Sequence, residues 1–228
     1  MLELVAATKT YQQGRRTVEA VRGVSLRIDA GEFVVVTGPS GSGKSTLMHL
    51  LGALDTPTTG QALFRGDDLQ AMSDRQRAKL RRERIGFVFQ AFNLLPTLTA
   101  DENVALPLLL DGVSRSAAGK RAAAALDRVG LSGRAGHFPE ELSGGEMQRV
   151  AVARALVTEP EAVLCDEPTG NLDSANAREV LALLRELPAA GKRCVVMVTH
   201  DAAAAAVGDR LVKTRDGLLE GEDRGPFS

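Results

Sequence analysis

The chain has 228 residues, 44% of them hydrophobic and 25% charged, enough apolar material for a real core and unlike a disordered tail or a small disulfide-stapled scaffold. Its 28 basic and 29 acidic side chains leave a formal net charge of −1, so no overall field draws it to nucleic acid or to an anionic bilayer, and binding either would need a local patch. The two cysteines, Cys165 and Cys194, lie inside apolar runs and read as buried small hydrophobes of a reducing compartment, not as a disulfide framework.

The first residues, MLELVAATKTYQQ, lack the basic start, apolar centre and small-residue cleavage site of a signal peptide, so the protein is expected to stay inside the cell. No stretch approaches the roughly 18 consecutive apolar residues of a membrane helix; ALPLLL at 105–110 is interrupted by Pro107. A membrane role would therefore run through a partner. Tyr11 is the only tyrosine and could stack on adenine. From Val18 to Ile28 the apolar residues Val18, Ala20, Val24, Leu26 and Ile28 fall mostly at even spacing, which predicts a half-buried strand in antiparallel structure.

FVVV at 33–36 is a short β-branched run that leads into a glycine loop and then the helical pattern KSTLMHLLGAL. The loop, GPSGSGKS from Gly38 to Ser45, matches G-x-x-x-x-G-K-[ST] and stands where that motif works, between a buried strand and a helix. Its glycines let successive backbone N–H groups converge on phosphate oxygens, and the helix start adds partial positive charge. Lys44 reaches the β- and γ-phosphates, Ser45 can hold Mg²⁺, and Thr46 assists at the phosphates.

The run SDRQRAKLRRER, Ser73 to Arg84, is strongly basic, but its charges spread around a helix and read as a solvated face before a nucleic-acid patch. Gln90 closes the apolar run IGFVFQ. A long amide there can reach Mg²⁺ or an attacking water, and a plain strand-ending glutamine is equally natural. Between about Ala91 and Pro160 strand patterns give way to helices punctuated by Pro96, Pro107, Gly112, Gly130 and Pro139. Ser114 is placed to cap a helix that stops at Gly130. AFNLLPTLTADENVALPL fits either the core of that helical segment or an apolar groove for a permease helix.

LSGGEMQR, Leu142 to Arg149, is a second glycine-rich helix start without a lysine. AVLCDE at 162–167 places two acids at the end of a buried strand, where charge needs a partner: Asp166 suits Mg²⁺, and Glu167 can polarise an attacking water. A helix is expected from Ser174 to Ala190, capped by Gly191. VVMVTH brings His200 to the same sheet edge, where open α/β folds bind ligands, able to contact a γ-phosphate or orient the water. His49 and His137 read as packing or solvated residues. DRLVKTRDGLL at 209–219 reads as two strands around an Asp-Gly turn.

In order along the chain, Tyr11, GPSGSGKST, Gln90, LSGGE, VLCDE, NLD at 171–173 and His200 resemble the A-loop, Walker A, Q-loop, signature motif, Walker B, D-loop and H-loop of the ATP-binding subunits of ATP-binding-cassette (ABC) transporters. LMHLLGALDTPTTG, IGFVFQAFNLLPTLTADENVALPLL, DEPTGNLD and RDGLL resemble the subgroup that serves lipoprotein-releasing and macrolide-export permeases.

The resemblance implies an α/β P-loop ATPase with a mixed-sheet core, an N-terminal antiparallel β subdomain and an inserted helical subdomain. It implies one domain over 1–228, with the RecA-like and antiparallel core at about 1–90 and 160–228 and the helical part at about 91–159. ATP would be held by Tyr11, Gly38, Pro39, Ser40, Gly41, Ser42, Gly43, Lys44, Ser45, Thr46, Gln90 and His200. Mg²⁺ would be held by Ser45, Gln90 and Asp166, with Glu167, His200 and Gln90 catalytic. Two chains would pair head to tail, so that Ser143, Gly144 and Gly145 of one face the ATP of the other, their helix-start N–H groups serving as an anion site without a lysine.

Glu146, where glutamine is usual, is expected to point away from that phosphate, and Cys165 to leave an oxidisable sulfur near the site. The implied partner is an integral membrane permease at the cytoplasmic face of the inner membrane, and no nucleic acid is expected. A DNA-repair cassette would insert long coiled coils between Lys44 and Asp166, and no sustained heptads are present there. A regulatory cassette acting on cell-envelope enzymes through a permease-like partner would use the same motor.

Overall fold

The computed structural model describes residues 1–14, 16–188 and 193–225. Its centre is a six-stranded mixed sheet in the order β10-β9-β3-β8-β7-β6, built from β3 (Phe33–Thr37), β6 (Ile85–Phe89), β7 (Ala162–Asp166), β8 (Cys194–Thr199), β9 (Arg210–Arg215) and β10 (Leu218–Arg224). All neighbours are parallel except β9 and β10. That last pair closes through Asp216 and Gly217, both at positive φ (50° and 80°), the backbone a tight two-residue hairpin needs and the Asp-Gly pair provides.

Strands β3, β7 and β8 are continuous apolar runs because both their faces are covered. Phe33, Val35, Val163, Cys165, Val195 and Met197 point into one core with the helices α3 (Ala100–Leu110), α4 (Arg115–Arg128), α5 (Gly144–Leu156) and α6 (Ser174–Arg185). Val34, Val36, Leu164, Val196 and Val198 point into the other, where they meet α1 (Lys44–Leu51) and a four-stranded antiparallel sheet. That sheet, ordered β2-β1-β4-β5, is made by β1 (Leu2–Gln13), β2 (Arg16–Ile28), β4 (Thr59–Phe64) and β5 (Asp67–Asp68). At about 1.5–3 kcal/mol for each fully buried aliphatic side chain, these two cores fix which face of the sheet each residue of the central strands points to.

The expected strand over 18–28 is present, but its even spacing does not persist. Val24, Leu26 and Ile28 are buried, then the pairing with β1 slips between Ala7 and Lys9, with Gly23 at φ 63°. Beyond the slip Val21 takes the buried face, and Val18 and Ala20 turn to the other side, where they line a cavity. A bulge of this kind re-aims side chains, and here it supplies a wall of the site.

α1 is shorter than the helical pattern suggested. It stops at Leu51 with Gly52 as its C-cap, a place where a Cβ would come within 2.6–2.8 Å of Leu164 and Phe87. α6 ends at Arg185, ahead of Pro188, which cannot continue a helix; its N-cap is Asp173, accepting from the N–H groups of Ala175 and Asn176. The cap expected at Gly191 and the expected helix end at Ala190 lie outside the described residues. α2 (Asp74–Arg84) buries no residue fully, but its basic face is solvated only in part, since Arg77 donates to the carbonyls of Leu69 and Met72 and Arg81 to that of Ala53; β6 follows directly. Ser114 accepts from Ala117 N–H at the start of α4, and Gly130, at φ 71°, follows its end. α5 packs on both α3 and α4 and on strand β6, so it joins the helical layer to the sheet edge.

Candidate nucleotide site

Between β3 and α1 the chain turns through Gly38, Gly41 and Gly43, at φ 156°, 79° and 94°. A Cβ at Gly43 would stand 2.1 Å from the carbonyl oxygen of Ala20, and one at Gly38 2.2 Å from that of Thr214. Only glycine fits either place. The loop is braced from behind by Ser42, whose Oγ lies 2.9 Å from Thr214 Oγ1, which in turn donates to Thr37 O at 3.1 Å. The Ser42 side chain is therefore buried and turned away from the cavity. The Ser42 backbone is engaged as well, the N–H donating to Pro39 O (3.2 Å) and the carbonyl accepting from Gly217 N–H (3.1 Å). Of the sequence-predicted loop residues, Gly38, Pro39 and Ser42 do not line the cavity.

Lys44 is buried, and its ammonium donates to the carbonyls of Gly38 (2.8 Å) and Pro39 (2.9 Å), inside the curl of the loop. In front lies a cavity of about 610 Å³ lined by Tyr11, Val18, Ala20, Ser40, Gly41, Gly43, Lys44, Ser45, Thr46, Glu167 and His200, a volume in the range of small-molecule sites. The converging glycine backbone, the buried ammonium and the start of α1 suit a polyphosphate.

Ser45 Oγ donates to Asp166 Oδ1 at 3.4 Å. Burial raises the Asp166 pKa, with a further push from Glu167, against the opposing pull of His49, the Ser45 hydroxyl and Lys44. A half-buried carboxyl beside a hydroxyl is the hard-oxygen donor set that magnesium takes, and it fits that ion. His49, expected only to pack or meet solvent, lies on α1 within electrostatic reach of Asp166.

Glu167 has φ 47°, a left-handed backbone unusual for a glutamate. The conformation is held by Glu167 N donating to Val198 O (2.9 Å) and Gly170 N donating to Glu167 O (3.0 Å). It aims the carboxylate at His200, whose Nδ1 lies 2.8 Å from Oε1, while Thr199 Oγ1 donates to Oε2 at 3.4 Å. Glu167 is 17% exposed and His200 70%, so a shielded acid is steered by an accessible ring.

Gln90 does not line the cavity. Its Nε2 donates to Asn171 Oδ1 (3.1 Å) and Asn171 Nδ2 returns a bond to Gln90 O (3.0 Å), and this reciprocal pair gave no signal in the sequence. Ser143, Gly144 and Gly145 are not brought to the cavity either; they open α5 beside Asn171, Leu172 and Asn176.

One expectation about that helix start needs correction. Glu146 folds back in a capping box, its Oε2 accepting from Ser143 N–H and Ser143 O–H (both 2.8 Å), while Oε1 accepts from Arg134 Nε at 3.0 Å. It does not point away, and the Ser143 N–H is not free. Those bonds, the backbone one first, hold the Glu146 pKa low. Cys165 is likewise no exposed sulfur: it is fully buried, and desolvation with the Asp166 charge raises its thiol pKa well above the ordinary value.

The family profile described as ABC transporter matches residues 21–170. An ABC transporter ATP-binding protein of Thermotoga maritima is 50% identical over 98% of this chain and 95% of its own length.

The chain belongs to the ABC transporter family.

The macrolide export ATP-binding/permease protein MacB of Hyphomonas neptunium is 48% identical over 96% of the cassette, which spans 34% of that longer protein. The cassette also superposes with a TM-score of 0.91 and 43% identity, over 98% of both chains, on the ATP-binding cassette MJ0796, solved as a dimer in a post-hydrolysis state bound to ADP and Pi. These likenesses extend over the antiparallel sheet, the helical layer and the central sheet alike. Among the described residues no helix is long and apolar enough to cross a membrane.

Proposed function

We propose that this cassette binds and hydrolyses ATP as a head-to-tail pair of identical chains and drives a separate permease of the macrolide-export or lipoprotein-release type at the cytoplasmic face of the inner membrane. The observation that carries the hydrolytic reading is the Glu167–His200 pair standing on the same cavity as the Lys44 loop. In this reading Lys44 and the loop N–H groups hold the β- and γ-phosphates, and Tyr11 stacks on the adenine. Ser45 and Asp166 would hold magnesium, joined by Gln90 if it turns from Asn171 toward the cavity, and the ion would neutralise charge on the phosphate oxygens. Glu167 takes the proton of the attacking water, and His200 fixes the Glu167 carboxylate and reaches the γ-phosphate.

Pairing is supported by the place of Ser143, Gly144 and Gly145 outside their own chain's cavity and by the dimeric form of the MJ0796 cassette. In a pair, the partner's phosphate would have to compete with Glu146 for the Ser143 donors. The permease type is supported by the MacB relatives, whose printed names join an ATP-binding part to a permease. A permease on a separate chain is supported by the Thermotoga maritima relative, of nearly this chain's length. We also read residues 91–159 as the helical subdomain, joined to the sheet through α5.

Glu167→Gln keeps the size and hydrogen-bonding reach of the side chain but cannot take a proton. It is expected to retain ATP binding, accumulate the ATP-bound dimer in size-exclusion chromatography, and lose about 10²- to 10⁴-fold in turnover. Hydrolysis equal to the parent protein would sink the assignment.

A further inference from the structure

Stacking a base on Tyr11 requires a ring fixed above the cavity, yet Tyr11 sits on β1 just beyond its pairing slips. Besides a side-chain hydrogen bond with Thr46 of the cavity wall, what fixes it is a cluster outside the cavity, reached from the far end of α1. The Tyr11 hydroxyl donates to Asp55 Oδ2 at 2.9 Å, across 44 positions of sequence. The other carboxylate oxygen of Asp55 accepts from Lys9 Nζ at 2.5 Å and from Thr56 N–H at 2.7 Å. Lys9 also donates to Thr56 O at 2.8 Å, and its ammonium lies over the Tyr11 ring, 5.2 Å from the centroid.

Both oxygens of Asp55 are thus used. Burial alone would raise its pKa, but the bonds from Lys9, Thr56 and Tyr11 outweigh it and hold the carboxyl below its ordinary value. It remains a charged, oriented acceptor, and the phenol is clamped at its hydroxyl end and against Lys9.

We propose that Asp55 and Lys9 are positioning residues for nucleotide recognition: they fix the Tyr11 ring through its hydroxyl before any base arrives. The proposal rests on the reading that adenine stacks on Tyr11. A ring already immobilised loses less freedom when the base binds, so removing the clamp should weaken base-dependent affinity while leaving the phosphate loop untouched.

Calorimetric titration of the full chain with ADP and with inorganic pyrophosphate, which lacks the base, tests this. Asp55→Ala and Tyr11→Phe are each expected to weaken ADP binding about fivefold with pyrophosphate affinity unaltered, and the double variant to be no weaker than either alone. Tyr11→Phe keeps the ring and leaves the bonds from Lys9 and Thr56 to Asp55 in place, so it carries the test if Asp55→Ala folds poorly. Tyr11→Ala separates the two ideas. If it weakens ADP binding while Tyr11→Phe and Asp55→Ala bind ADP like the parent, the clamp is wrong and the stacking reading stands. If Tyr11→Ala also binds ADP like the parent, stacking falls and the clamp with it. Equal loss of ADP and pyrophosphate affinity in Asp55→Ala would show a disturbed phosphate loop and overturn the proposal too.

Discussion

Cys165 and Asp166 are adjacent in the chain and have opposite surroundings. Strand alternation sends the sulfur into the helical-side core and the carboxylate to the loop edge. The thiolate is the reactive form, and burial disfavours it: the Cys165 thiol is raised well above the ordinary range, and that of Cys194, buried on the opposite face of the sheet, to about 12. Iodoacetamide at pH 8 is therefore expected to leave both cysteines unmodified in the folded protein and to label both in urea, read by intact mass. Rapid labelling of native Cys165 would show that the helices covering β7 open readily. A sequence places a cysteine beside a catalytic acid; only the pleat says that the two face apart.

At the scale of the element, the phosphate loop depends on two different properties of glycine, and they can be separated. Gly41, at φ 79°, has open space around it, whereas Gly43, at φ 94°, would push a Cβ against the Ala20 carbonyl at 2.1 Å. Gly41→Ala is expected to meet only the strain of a side chain on a left-handed backbone, about 1 kcal/mol, while Gly43→Ala must also displace β2 and is expected to cost at least about 2 kcal/mol. Urea unfolding of both variants measures the difference; equal costs would mean that β2 yields to the loop.

The same loop marks where the sequence could be read and where it could not. The glycines, Lys44, Ser45 and the doubly buried runs of β3, β7 and β8 were legible because local pattern and tertiary position coincide there. Val18 and Ala20 were not legible as cavity walls, because a bulge changes the face of β2 and leaves only a break in alternation. Ser42 was legible as a loop residue but not as the brace to Thr214, a contact across 172 positions. The Gln90–Asn171 and Tyr11–Asp55 pairs were hidden for the same reason: each joins residues whose separate identities say nothing of the other.

At the scale of the whole molecule, one chain holds Lys44, Glu167 and His200 on one cavity and Ser143 elsewhere. If two chains meet head to tail, each site takes its phosphate loop from one copy and its α5 start from the other. Lys44→Ala and Ser143→Arg, each alone, then damage both sites of a homodimer, and both variants should hydrolyse ATP poorly. Mixed, they form some dimers in which one site carries both lesions and the other carries neither, since the intact Lys44 comes from the Ser143→Arg chain and the intact Ser143 from the Lys44→Ala chain. With random pairing and independent sites, activity should rise to about a quarter of the parent's, well above the sum of the two variants measured apart. The rise should depend on the square of chain concentration at low concentration and vanish on dilution. A mixture that stays at the sum of its components, at concentrations where Glu167→Gln runs as a dimer with ATP, would place all catalytic parts within one chain and leave the α5 glycines as an ordinary capped helix start.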